Sequence, residues 1–134
     1  MTDSNWELIE KHLEESHTKI NAAEHLFNGK FYNDSISRAY YAMFNAAKAA
    51  LALKNINTKR HSGVLALFGL HFVKEGFIDE MYSKAYAVAM EDRSEADYGI
   101  LSEFTREEAE IVLDDAKRFI EAVEDMIENI KKLE

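Results

Sequence analysis

Apolar residues recur at helical spacing along almost the whole chain. Trp6, Leu13, Ile20 and Phe27 fall seven residues apart, with Ile9, Ser16 and Ala23 interleaved, and the run stops at Asn28-Gly29. This predicts one long helix ended by a glycine. A second helix is expected from about Asp34 to Lys54, where Ile36, Ala39, Tyr40, Met43, Phe44, Ala47, Ala50 and Leu51 make one buried stripe. A third, N-capped by Thr58 and stopped by Gly76, runs to Glu75; Val64 to Phe68 is apolar nearly all round, the mark of a helix deep in the core. Ile78, Met81, Tyr82, Ala85 and Ala89 place a fourth helix up to about Asp92. Thr105 and Glu108 form a capping box that opens the last helix, in which Ala109, Val112, Ala116, Phe119, Val123, Met126, Ile130 and Leu133 step by three and four. Leu113, Ile120 and Ile127 widen that face, so it has more than one neighbour to pack on.

The fold class that follows is all-α: an up-and-down bundle of four long helices plus a shorter one, in a single domain spanning residues 1–134. Composition agrees, with no proline and only 5 glycines in 134 residues. The connection from Ser94 to Phe104, SEADYGILSEF, breaks the regularity and reads as a long loop. Long connections in compact bundles are more often functional than not.

Charge narrows the function classes. Twenty-five Asp and Glu against 16 Lys and Arg give a net charge of -9, which excludes a general binder of nucleic acid or membrane surface. The acidity is unevenly spread, however. Residues 30 to 76 carry seven Lys and Arg against two acids, a net +5, while the rest carries nine against 23, a net -14. The absence of cysteine removes disulfides, thiolate zinc sites and thiol nucleophiles. No leader or membrane span is visible, so a cytoplasmic protein without membrane attachment is expected. Neither a cofactor nor a metal site is expected: His12, His17, His25 and His71 lack ligand-like companions and read as core or surface histidines.

Within the basic segment, Arg38, Tyr41, Asn45 and Lys48 lie on one stripe of the second helix, and Lys59, Arg60 and His61 follow in the next loop. Cations take phosphates and rings stack on bases, so this surface has the chemistry to hold nucleotide or RNA. The same residues also suit a solvated helix face with a half-buried tyrosine.

Four pieces of the chain in order, Ser37 to Phe44 (SRAYYAMF), Lys59 to Gly63 (KRHSG), Phe72 to Gly76 (FVKEG) and Arg93 to Tyr98 (RSEADY), resemble the HEPN family in its short stand-alone branch. The resemblance covers about residues 30 to 130. It implies a helical bundle that forms a homodimer, is often paired with a minimal nucleotidyltransferase, and in many members is a metal-independent ribonuclease toxin. In active members a catalytic arginine is followed four to six residues later by histidine, and the two chains bring these motifs into one cleft. Arg93 matches the arginine, but Asp97 and Tyr98 stand where the histidine would be.

That departure matters because proton transfer near neutral pH suits imidazole, with a pKa near 6.5, better than Asp near 3.9 or Tyr near 10. Two substitutes are available: Asp97 and Tyr98 with Arg93 as the catalytic set, or His61 brought in from the basic segment of the same or the other chain. Three functions are therefore expected to compete. The first is a nucleotide- or RNA-binding HEPN protein acting beside a nucleotidyltransferase in a toxin-antitoxin-like pair. The second is a metal-independent endoribonuclease using Arg93. The third is a structural dimer whose seam binds a protein partner. For the Arg93 segment alone, the structural alternative is an Arg93–Asp97 ion pair and a Tyr98 hydroxyl that pin the loop.

Overall fold

The computed structural model describes residues 3–99 and 103–133, and every regular element among them is helical. The order is α1 (Asp3–Asn28), α2 (Tyr32–Ala52), α3 (His61–Phe68) continued by a π-helical turn (Gly69–Val73), α4 (Glu80–Tyr98) and α5 (Arg106–Lys132). The four long helices and the short one stand as the hydrophobic periodicity requires.

Helix α2 is the centre of the bundle. Ala39, Ala42, Ala46, Ala47, Ala49 and Ala50 are fully buried, and side chains this small let the neighbouring helices come close on every side. Against α1 that closeness admits two polar staples. Ser16 Oγ donates to the Ala42 carbonyl at 2.7 Å, and Ser35 Oγ donates to the Ala23 carbonyl at 2.8 Å, so both buried hydroxyls are satisfied across the hairpin. On another side α5 inserts Phe119, whose ring meets Phe68 of α3 at 5.4 Å and Tyr86 of α4 at 5.6 Å. Phe119 thus ties three elements into one aromatic core.

Helix ends follow local chemistry. The Thr105–Glu108 capping box is present in full at the start of α5, and Asp79 caps α4 by accepting from the Met81 N–H at 2.8 Å. Thr58 does not cap α3: the N-cap is Arg60 in extended conformation, and the Thr58 hydroxyl accepts from the Arg60 N–H at 3.4 Å, ahead of the helix. Gly76 does stop the chain after the π turn, at φ 81°.

Three further expectations need correction. Helix α3 is not buried all round: Val64 and Phe68 are buried, whereas Leu65 and Leu67 are only partly so and Ala66 is exposed, because this short segment lies on the bundle rather than through it. Met81 is likewise outside the core at 58% exposure, and Leu133 at 81%. Most consequentially, Ser94 to Tyr98 is not a loop, since α4 continues to Tyr98 and the Gly99 N–H still bonds to the Glu95 carbonyl at 2.8 Å. The turn added after Asp92 is held by Arg93 with Asp97 at i,i+4 and by partial burial of Ala96. The rest of the expected loop includes residues 100–102, which lie outside the described residues.

Candidate functional site

Arg93 belongs to the last turns of α4, where that helix faces α2. Its side chain is only 12% exposed. The guanidinium carbon sits 5.0 Å from the centroid of the Tyr40 ring and 5.5 Å from that of Tyr41, consecutive residues of α2. Two electron-rich rings thus hold the planar cation, a placement that lysine does not reproduce. Asp97 lies one turn on, with its carboxylate 3.8 Å from Arg93 Nη1. That separation supplies Coulomb attraction but exceeds hydrogen-bond length. Arg93 Nε is buried and has no hydrogen-bond partner among the described residues. A cation that keeps one donor unspent and has no hydrogen-bonded carboxylate among the described residues is a partner for an anion.

The same tyrosine ring carries the histidine. Tyr40 Oη is 2.6 Å from His61 Nδ1 at the first residue of α3, and 3.5 Å from the hydroxyl of Tyr86 on α4. The imidazole stacks on Phe44 with centroids 4.3 Å apart and 20° between planes, and more distantly on Tyr40 at 5.6 Å. Lys48 lies over the Phe44 ring at 5.5 Å. His61 is pulled below its usual 6.5, first by burial against these rings and then by the positive charges of Arg93 and Lys48. Tyr40 and Tyr86 move the other way: burial disfavours both phenolates, so both hydroxyls keep their protons. The site therefore joins a permanent cation, an imidazole held neutral at pH 7 and two phenols, a set suited to gripping a phosphate.

Beside the cluster opens a groove of about 380 Å³ lined by Leu26, Asp34, Ser37, Arg38, Tyr41 and Asp97. Ser37 Oγ donates to Asp97 at 3.2 Å, which ties the groove wall on α2 to the carboxylate on α4. Among the described residues no cluster of three or more His, Asp and Glu is placed to hold a metal ion, and no helix is long and apolar enough to cross a membrane.

The HEPN domain model matches residues 9–126. The chain belongs to the HEPN family. Among its relatives, a Methanocaldococcus jannaschii protein named "putative toxin" is 40% identical over 124 residues, covering 92% of each chain. A second protein of that name from the same organism is 40% identical over 105 residues, covering 78% of this chain and 71% of its own. A UPF0332 protein of Thermotoga maritima is 34% identical over 113 residues, covering 84% of this chain and 86% of its own.

Of the residues singled out from the sequence, this HEPN bundle gathers Arg93, Asp97, Tyr41, Lys48 and His61 into one neighbourhood, with Arg38 on the groove beside it. Lys59 and Arg60 are exposed in the segment leading into α3. Tyr98 is 75% exposed and has no contact with the Arg93 cluster among the described residues, so it does not pin the segment through its hydroxyl. Sequence reasoning passes over Tyr40, Phe44, Tyr86 and Ser37 as site residues. Tyr40 and Phe44 merge into the apolar stripe of α2, yet a tyrosine at a fully buried position brings a hydroxyl that needs a partner, and that is the available signal.

Proposed function

We propose that this HEPN-family chain is a toxin-like protein that binds RNA or nucleotide by its phosphate, on the surface where α2, α3 and α4 meet. Arg93 is the anchor, His61 the adjacent donor, and Arg38, Tyr41, Lys48, Lys59 and Arg60 the surrounding cations and ring. The observation that carries the reading is the guanidinium held over Tyr40 and Tyr41 with an unpaired Nε and an ion pair longer than a hydrogen bond. The names of the two Methanocaldococcus jannaschii relatives support the toxin-like part. A homodimer that brings two Arg93 sites together, and a nucleotidyltransferase partner, belong to the same proposal through the family resemblance. The test is binding of a fluorescent single-stranded RNA at low salt. Affinity that falls at least ~10-fold in Arg93→Ala and weakens with salt supports the reading; binding indifferent to both removes it.

The position of His61 favours a second reading, metal-independent cleavage of RNA. The histidine missing after Arg93 is matched by one that reaches the same tyrosine ring from α3. Cleavage in EDTA by the native chain, abolished in both Arg93→Ala and His61→Ala, would establish it, and equal products from all three would eliminate it.

A further inference from the structure

Which nitrogen of His61 carries the proton is tied to the hydroxyls behind it, Tyr40 at 2.6 Å and, beyond it, Tyr86. Tyr40 and Tyr86 are both fully buried, and Tyr40 Oη is the hydroxyl that stands next to Tyr86 Oη among the described residues. If Tyr86 donates to Tyr40, then Tyr40 is free to donate to His61 Nδ1, and every buried O–H has an acceptor. The reverse order, with Nδ1–H donating to Tyr40 and Tyr40 to Tyr86, leaves the Tyr86 proton buried with nothing to receive it. The 2.6 Å contact makes the Tyr40–His61 link the short one in the chain, and the 3.5 Å contact makes Tyr86–Tyr40 the loose one.

A doubly protonated ring is disfavoured by what faces it. Arg93 from α4 and Lys48 from α2 are both positive, the flanking rings are Phe44, Tyr40 and Tyr41, and the nearest carboxylate of the cluster, Asp97, faces Arg93. Nε2 has no partner among the described residues, and His61 is partly exposed, so this edge is open to a ligand.

We propose that Tyr40, backed by Tyr86, is a positioning residue that holds His61 as the neutral, Nε2-protonated tautomer, so that Nε2–H and the Arg93 guanidinium present paired donors to the non-bridging oxygens of one phosphodiester. The choice of ligand rests on the phosphate-binding reading above; the tautomer is a property of the free protein. Because the imidazole donates without gaining charge, phosphate binding does not titrate across the neutral range. Tyr40 thereby uncouples recognition from the usual histidine pKa.

The experiment has two arms. Long-range proton–nitrogen NMR on histidine-labelled, ligand-free protein at pH 7 is expected to show His61 with a protonated Nε2 and an acceptor Nδ1. In Tyr40→Phe the two tautomers mix and the ring titrates closer to 6.5. Tyr86→Phe, which keeps the short bond but removes its backing, shifts the ring part of the way. A native spectrum showing Nδ1–H or an imidazolium, or one unmoved by Tyr40→Phe, overturns the proposal. The second arm measures single-stranded RNA affinity from pH 6 to 8. A flat profile is expected for the native chain, and one that tightens toward acid for Tyr40→Phe as the released ring charges. His61→Gln, whose amide offers an N–H near the Nε2 position, should bind within ~3-fold of native, while His61→Ala loses ~10-fold, about the effect of one hydrogen bond. The predicted tautomer in protein that binds no RNA confirms the positioning by Tyr40 and rejects the phosphate reading instead.

Discussion

The Arg93 guanidinium lies 5.0 Å from the centroid of Tyr40, the ring whose hydroxyl reaches His61 on its other side at 2.6 Å. One buried phenol thus links a cation on α4 to an imidazole on α3, two groups separated by 32 positions in the sequence. Arg93→Lys separates charge from shape at this point. Lysine keeps the positive charge but cannot lie flat over two rings or present a fork of donors. The variant should lose about 1 kcal/mol of stability with the cation–π contacts, by denaturant unfolding. It should also bind RNA closer to Arg93→Ala than to the native chain. Native-like affinity in Arg93→Lys would mean that charge alone is recognised there.

Asp97 restrains the same cation. Its carboxylate draws on Arg93 from 3.8 Å and accepts from Ser37, so it competes with any phosphate for the guanidinium. Asp97→Asn retains an acceptor for Ser37 while removing the negative charge. RNA affinity at low salt is expected to rise several-fold, with the salt dependence steepened by about one counterion. Stability should change by less than about 1 kcal/mol, because the pair is partly solvated and not hydrogen-bonded. Weaker binding in Asp97→Asn would instead assign the carboxylate a direct role with the ligand.

Acid stability follows from two histidines. His12 is held below 6.5 by burial and then by Lys48, and His61 by burial, Arg93 and Lys48. For both, the unfolded chain takes up its proton first. The stability these neutral rings contribute is complete above about pH 6.5 and is lost as pH falls through their lowered native values. Asp92 and Asp115 act in the opposite sense. Burial raises both, helped at Asp92 by Glu91 and Glu108 and at Asp115 opposed by Arg118 and helped by Asp114, so the folded state protonates before the unfolded one, and acidification toward 3.8 relieves a strain present at neutral pH. The melting temperature should therefore decline below about pH 6.5 and level off in the more acid range where the aspartates protonate. His12→Gln and His61→Gln should each flatten the decline, and Lys48→Met, which removes a charge common to both rings, should reduce it in part. A decline unchanged in all three variants would place its cause elsewhere.

The bundle is legible in the sequence because its helices are long and their apolar stripes regular, and the capping box marks the start of α5 unaided. What stays hidden depends on contacts between elements. After Ala89 the core stripe of α4 gives out, and Ser-Glu-Ala-Asp followed by Tyr and Gly reads locally as a turn. The Arg93–Asp97 pair and the docking of Ala96 carry the helix on, and their partners on α2 are far away in sequence. The pairing of His61 with Arg93 is illegible for the same reason: no spacing rule relates residues that meet through the rings of Tyr40 and Tyr41. The apolar run of α3 suggests full burial, but a segment of 8 residues is too short to pass through a core made by neighbours of 19 to 27.

The exit from α1 supplies a test of the backbone. The expected glycine stop is present, but Gly29 is not the left-handed residue. Lys30 is, at φ 69°, with its N–H bonded to the Phe27 carbonyl at 3.0 Å and the Phe31 N–H bonded to the Leu26 carbonyl at 2.8 Å. These two bonds form a Schellman motif around a side chain that disfavours the conformation. Gly29 serves the turn in another way, since a Cβ there would stand 3.1 Å from the Phe31 ring and glycine makes room for that packing. Lys30→Gly should accordingly stabilise the chain by about 0.5–1 kcal/mol despite the added freedom of the unfolded state, because it removes the strain at the turn. Gly29→Ala should change stability by less than about 1 kcal/mol, because Phe31 is 60% exposed and its ring can yield the few tenths of an ångström required. Equilibrium denaturation of the two variants decides the matter, and a loss of stability in Lys30→Gly would show that the lysine stem contributes more by packing than its backbone costs.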